Sequence, residues 1–151
     1  KDKDLVMICI LKGAGMFFTD LLKCINLPNL QVEYMTATSY KGRTKSTGTV
    51  KIEYIPQISI IRYKHVLIVE DIIDTGLTIR NIYEELQQKD PYTISICTML
   101  HRCKERPVDI PFINYCGFNL QKSEFVIGYG LDYKGLYRNL PYIATLKSKD
   151  R

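Results

Sequence analysis

The stretch Val66-Leu67-Ile68-Val69-Glu70-Asp71-Ile72-Ile73-Asp74-Thr75-Gly76-Leu77-Thr78 constrains this chain more than any other. Its first four residues are apolar without a break, the pattern of a strand buried on both faces of a parallel sheet. Carboxylates, a threonine, a glycine and a second threonine follow. Ile79, Ile82, Tyr83 and Leu86 then recur with helical period, so the polar run reads as a strand-to-helix turn. In an open α/β sheet, ligands bind at such carboxyl ends of strands. The helix start offers free N–H groups and the positive end of a dipole, both suited to an anion. Gly76 permits close backbone approach, and Thr75 and Thr78 add hydroxyls. Asp74 to Thr78, Leu77 included, are therefore expected to cradle a phosphate. Glu70 and Asp71 are expected to hold a hydroxylated sugar or its magnesium. The plainer alternative is a helix cap by Asp74 or Thr75. Adjacent carboxylates repel unless something positive offsets them, which favours the ligand.

A chain of 151 residues with 46% hydrophobic content can bury a substantial core, and a single domain over 1–151 is expected. No apolar run reaches membrane-spanning length and no signal-peptide pattern opens the chain, so a soluble, cytoplasmic protein is expected. The five cysteines have no paired spacing. Cys9, Cys97 and Cys116 sit in apolar runs and read as buried thiols of a reducing compartment. The net charge of +5 is spread along the chain. Without a dense basic block, it suits a small anionic ligand at least as well as nucleic acid. Two histidines, His65 and His101, leave little material for a histidine metal site or a Ser-His-Asp triad.

Leu5 to Leu11 reads as a second buried strand. Lys12-Gly13-Ala14-Gly15 then turns into a helix striped by Phe18, Leu21, Leu22 and Ile25, a second strand–turn–helix that presents amides to an anion. The turn lacks the spacing of a P-loop, and by itself helix entry explains it equally well. Val32 to Thr36 and Val50 to Tyr54 alternate like strands. Between them, Ser39 to Gly48 is polar and basic, which composition alone assigns to a surface connection. Tyr92 to Leu100 and Phe112 to Phe118 read as further strands. Phe125 to Tyr133 reads as one ending in a glycine-rich turn.

The wording Glu70-Asp71-Ile72-Ile73-Asp74-Thr75-Gly76-x-Thr78 resembles the phosphoribosyl-pyrophosphate (PRPP) signature of type I phosphoribosyltransferases, in particular the 6-oxopurine branch. Leu11-Lys12-Gly13 is similar to that family's pyrophosphate loop, where the peptide before the lysine is often cis. Ser39-Tyr40 resembles one end of its closing lid. Phe125-Val126-Ile127-Gly128-Tyr129-Gly130-Leu131-Asp132-Tyr133 resembles its base-binding hood almost letter for letter.

The resemblance implies a mostly parallel sheet with helices on both faces and a small hood. A helix that normally precedes the first strand is not in the sequence. The implied reaction is purine salvage: a 6-oxopurine and PRPP give the nucleotide and pyrophosphate. Magnesium would be held by Glu70, Asp71 and Asp132. Asp74 would be the general base. Lys12, Gly13 and Arg138 would hold pyrophosphate, Phe125 would stack on the purine, and Val126 would offer backbone groups to its edge. The family's lysine for the 6-oxygen falls at Arg102 here, with Lys104 as the alternative two residues on. A homodimer or homotetramer is expected, with no nucleic-acid or membrane partner. Two other readings are a phosphoribosyltransferase for a different base and a non-catalytic regulator on the same fold.

Overall fold

The computed structural model describes residues 4–39, 50–102, 111–120 and 124–147. Strand β1 (Leu5–Leu11) leads through a turn into helix α1 (Gly15–Lys23). Strands β2 (Leu30–Ser39) and β3 (Val50–Tyr54) precede a single helical turn, α2 (Ile58–Ile61). Strand β4 (His65–Ile73) feeds helix α3 (Leu77–Gln87), followed by β5 (Thr93–Arg102) and β6 (Tyr115–Leu120). Two short strands, β7 (Val126–Ile127) and β8 (Ala144–Thr145), pair antiparallel apart from the main sheet.

The main sheet runs β3-β2-β1-β4-β5-β6 and is parallel except for β2–β3. Successive side chains of a strand point to opposite faces, and β1 divides accordingly. Val6, Ile8 and Ile10 join Val66, Ile68, Ile61 and the α3 residues Ile79, Ile82 and Leu86 on one face. Met7 and Cys9 pack with Val69 and Phe18 of α1 on the other. Both faces of β1 and β4 are thus covered by helices, the arrangement their unbroken apolar runs require. Among the described residues, no helix is long and apolar enough to cross a membrane.

Four sequence expectations need correction. The polar run after Val69 is not wholly a turn: β4 continues to Ile73, and Glu70, Ile72 and Ile73 pair with Thr98, Leu100 and His101 of β5. Only Asp74-Thr75-Gly76 turns, because β5 offers a ladder partner as far as Ile73. Helix α1 ends at Lys23, so Ile25 lies beyond it while still packing on the same cluster. Cys116 is exposed, unlike buried Cys9 and Cys97, because β6 is the sheet's edge. Finally, the strand expected from Phe125 to Tyr133 shrinks to two residues. Gly128, Tyr129 and Gly130 all take positive φ (90°, 50° and 96°), which no strand accommodates.

The β7–β8 hairpin and its turns form a hood over the carboxyl ends of the strands. Val126 and Leu131 pack against Met99 and Leu100 of β5, so the hood rests on the same sheet that carries the acids.

Candidate active site

At the carboxyl ends of β1 and β4 lies a cavity of about 440 Å³. Its walls bring together Gly13, Glu70, Asp71, Thr78, Asp132 and Arg138, residues spread over more than a hundred positions of sequence. Lys12 is exposed and lies outside the lining. The Leu11–Lys12 peptide is cis, as the resemblance implied.

Glu70 is 7% exposed. Burial pushes its carboxyl well above the usual range, and the neighbouring charge of Asp71 adds to the effect. Asp71 is half-buried, and its Oδ1 accepts from the Ile72 amide at 2.8 Å. Its Oδ2 occupies the space that a Cβ on Gly13 would need. The turn after β1 therefore lies against the acid, and a side chain at Gly13 would displace the Asp71 carboxylate.

Beyond β4, Gly76 is the N-cap of α3 at φ 83° and carries no capping side chain. Thr75 Oγ1 meets the Leu77 amide at a long 3.4 Å, and the first turn contains no acid. These amide donors, with Thr78 facing the cavity, suit a phosphate. Thr75 is exposed and lies outside the cavity lining.

Arg102, the last residue of β5, is buried rather than solvent-facing. Its Nη1 donates to the Glu124 carbonyl at 2.6 Å, and its Nε lies 3.5 Å from Asp74 Oδ1. One guanidinium thus joins the turn after β4 to the chain entering the hood. Sequence reasoning missed Glu124, since a backbone carbonyl has no side-chain signature. Lys104 and Tyr40 lie outside the described residues. Ser39 ends β2, opposite Val50.

In the hood, the rings of Phe125 and Tyr133 meet edge-on at 5.6 Å. Leu146 donates to the Phe125 carbonyl at 2.7 Å, so Val126 and Thr145 face each other as a non-hydrogen-bonded pair. The Val126 amide and carbonyl consequently point away from β8, as a contact with a base edge would need. Asp132 is held at both oxygens, by Arg138 Nη2 at 2.7 Å and by the Gly135 amide at 2.7 Å. Arg138 Nη1 also donates to the Gly130 carbonyl at 2.6 Å.

Among the described residues, no three His, Cys, Asp or Glu side chains cluster closely enough to hold a metal by themselves. Asp71 and Asp132 nevertheless line one cavity backed by a strained buried acid. Such a donor set fits a hard cation that keeps several waters and substrate oxygens as ligands.

The arrangement suits a transferase acting on a sugar phosphate: acids, amide donors at a helix start and a hood meet at one end of the sheet. The phosphoribosyl transferase domain model matches residues 1–134. Hypoxanthine-guanine phosphoribosyltransferase of Staphylococcus epidermidis is 46% identical over 149 residues, 99% of this chain and 81% of that protein. The hypoxanthine-guanine-xanthine enzyme of Tritrichomonas foetus is 44% identical over 148 residues, 97% of this chain and 78% of its own. A crystal structure of hypoxanthine phosphoribosyltransferase from Staphylococcus aureus superposes with a TM-score of 0.87 at 44% identity, covering 99% of this chain and 79% of that one. The chain belongs to the phosphoribosyl transferase family and, within it, to the hypoxanthine-guanine phosphoribosyltransferases. It is accordingly an enzyme with the type I fold.

Proposed function

We propose that the chain transfers the phosphoribosyl group of PRPP to hypoxanthine or guanine, with xanthine third, and releases pyrophosphate. The observation that carries this reading is the Arg102–Asp74 pair, 3.5 Å apart beneath the hood. It sets a donor beside an acceptor, matching an oxopurine edge where a carbonyl oxygen neighbours a ring N–H. Arg102 donates to the 6-oxygen, and Asp74 accepts the proton of the ring nitrogen. The α3 amides and Thr78 hold the 5′-phosphate, while Gly13, Lys12 and Arg138 receive the pyrophosphate. The sugar–oxygen bond breaks with its electron pair leaving on pyrophosphate, and the sugar–nitrogen bond forms. Glu70 and Asp71 stabilise the positive charge that develops on the sugar.

Magnesium, when bound, neutralises charge on the pyrophosphate, with Asp71 and Asp132 as its protein contacts and Glu70 behind them. Xanthine ranks third because the Asp132 carboxylate opposes its 2-oxygen, although Arg138 and Gly135 already engage that carboxylate. The protein works as a cytoplasmic homodimer or homotetramer without nucleic-acid or membrane partners.

A spectrophotometric assay with PRPP, magnesium and each of hypoxanthine, guanine, xanthine and adenine tests the reading. Turnover is expected with the first two, and at least about tenfold less with adenine, whose 6-amino group leaves a charged donor without an acceptor. Folded protein that turns over none of the four would refute it.

A further inference from the structure

The hood touches the rest of the enzyme at a second place, outside the cavity. Tyr129 Oη donates to Asp20 Oδ2 at 2.6 Å across 109 positions of sequence. Asp20 rides on α1, the helix that begins at the Lys12–Gly13 turn. Its other oxygen accepts from Lys23 Nζ at 3.0 Å, so both oxygens of this exposed carboxylate are engaged. A short O–H···O⁻ bond of this kind is stronger and more directional than a neutral one.

Tyr129 reaches Asp20 from an unfavourable backbone. It sits at φ 50° between Gly128 and Gly130, in the left-handed region where glycine or asparagine rests at less cost. What tyrosine adds is reach. One residue on, Gly130 lies so close to the Gly13 carbonyl that a Cβ there would collide with it. Gly13 in turn lies against Asp71. Hood, pyrophosphate turn and ribose acid are thus stacked in direct contact, and the Tyr129–Asp20 bond pins the outer edge of the stack. Tyr129 is pushed up to about 12 by Asp20, and the carboxyl of Asp20 is held below its usual range by Tyr129 and then Lys23. The donor therefore stays protonated and the acceptor charged through the neutral range.

We propose that Tyr129 and Asp20 are positioning residues that hold the base hood in register with the pyrophosphate turn, so that the clamp serves the transfer step and not the binding of either substrate. The proposal rests on the reading of the hood as the base site and the Gly13 turn as the pyrophosphate site. Transfer needs the attacking nitrogen and the sugar carbon aligned within a fraction of an ångström. The base contacts shift with the hood as a body, whereas the α3 amides, Thr78, Lys12 and Gly13 keep theirs to PRPP; of the proposed PRPP contacts only Arg138 and the magnesium contact Asp132 move with the hood.

The test is the single-turnover rate with PRPP, magnesium and hypoxanthine. Tyr129→Phe keeps the ring and removes only the hydroxyl. Tyr129→Phe and Asp20→Ala should each slow transfer about tenfold, and together no further, because both remove one shared bond. Asp20→Asn, which keeps an acceptor, should recover most of the rate. PRPP affinity without base should stay within about twofold throughout, which separates positioning from general loss of structure. Wild-type rates in both single variants, multiplicative losses in the double variant, or a matching loss of PRPP affinity would overturn the proposal. Hydrogen exchange at the Gly13 and Gly130 amides provides an arm independent of turnover. Faster exchange in Tyr129→Phe supports the clamp and unchanged exchange refutes it, even if the wild-type protein uses none of the four bases.

Discussion

Glu70 and Asp71 stand on one wall of the cavity, and Asp132 and Arg138 stand on the other. The first wall is a strand end, held by pairing with β5 and by apolar packing on both faces. The second is a set of turns with strand pairing at Val126–Ile127 and Ala144–Thr145 and single bridges at Gly128–Leu131 and Tyr133–Leu136, held by a small apolar cluster with Met99 and Leu100, an ion pair, a few carbonyls and close glycine contacts. A buried strand can place a carboxyl where its charge is disfavoured: burial and then Asp71 push the Glu70 carboxyl up. Turns can place a backbone edge and a ring against a flat ligand, but they need polar pins to stay in place. If the proposed roles hold, chemistry that must not move is on the sheet, and recognition of the base is on the part that shifts at less cost.

That contrast breaks most sharply at Asp74, where the sheet's chemistry ends. Asp74→Asn should lower turnover by about 10²–10⁴-fold, the range for a lost general base, while PRPP affinity changes little. Steady-state kinetics beside a PRPP titration checks it, and near wild-type turnover removes Asp74 from the mechanism. Arg102 joins the two walls, so its loss should fall on the base alone. Arg102→Ala should weaken oxopurine binding by about tenfold or more and leave PRPP affinity intact. If Lys104→Ala does this instead and Arg102→Ala is silent, the base reader has been assigned to the wrong residue.

The smallest expected effect concerns the cost of the sheet's acid. The folded pKa of Glu70 lies above its ordinary value of 4.5, so the folded state binds the extra proton. Its contribution to stability is therefore greatest in acid and is lost as pH rises above that ordinary value. Glu70→Gln should raise the melting temperature of the ligand-free protein at neutral pH, by about 2–4 °C for each kcal/mol of relieved repulsion. The gain should shrink toward pH 4.5. Equal melting temperatures at both pH values would show that the site already satisfies the charge.

The strand end was legible because its signals are local. Four apolar residues, a cluster of acids and a helical stripe can be read within about twenty positions. What local pattern could not supply was how far β4 continues, since its last pairings depend on β5. The hood was legible only through resemblance. Gly128 and Gly130 mark a turn, but nothing near them in sequence points to Asp20 or Gly13. Cys116 was misjudged for a related reason: an edge strand has the same apolar wording as a buried one, and strand order decides which it is. Arg102 is buried because Glu124 and Asp74 lie where its side chain can reach them inside, which the sequence alone does not show.

The strand order also bears on how the chain reaches this state. β1 lies between β2 and β4, with Leu5 beside both Leu30 and His65. Pairing with β2 closes a short loop, whereas pairing with β4 must close one of about sixty residues, at a greater entropic cost. Parallel pairings of such separation form slowly. During synthesis, β1 can find β2 well before β4 has been made, so β4 and its acids join a pair that is already formed. Until β4 is made, the unpaired flank of β1 is the surface most in need of protection.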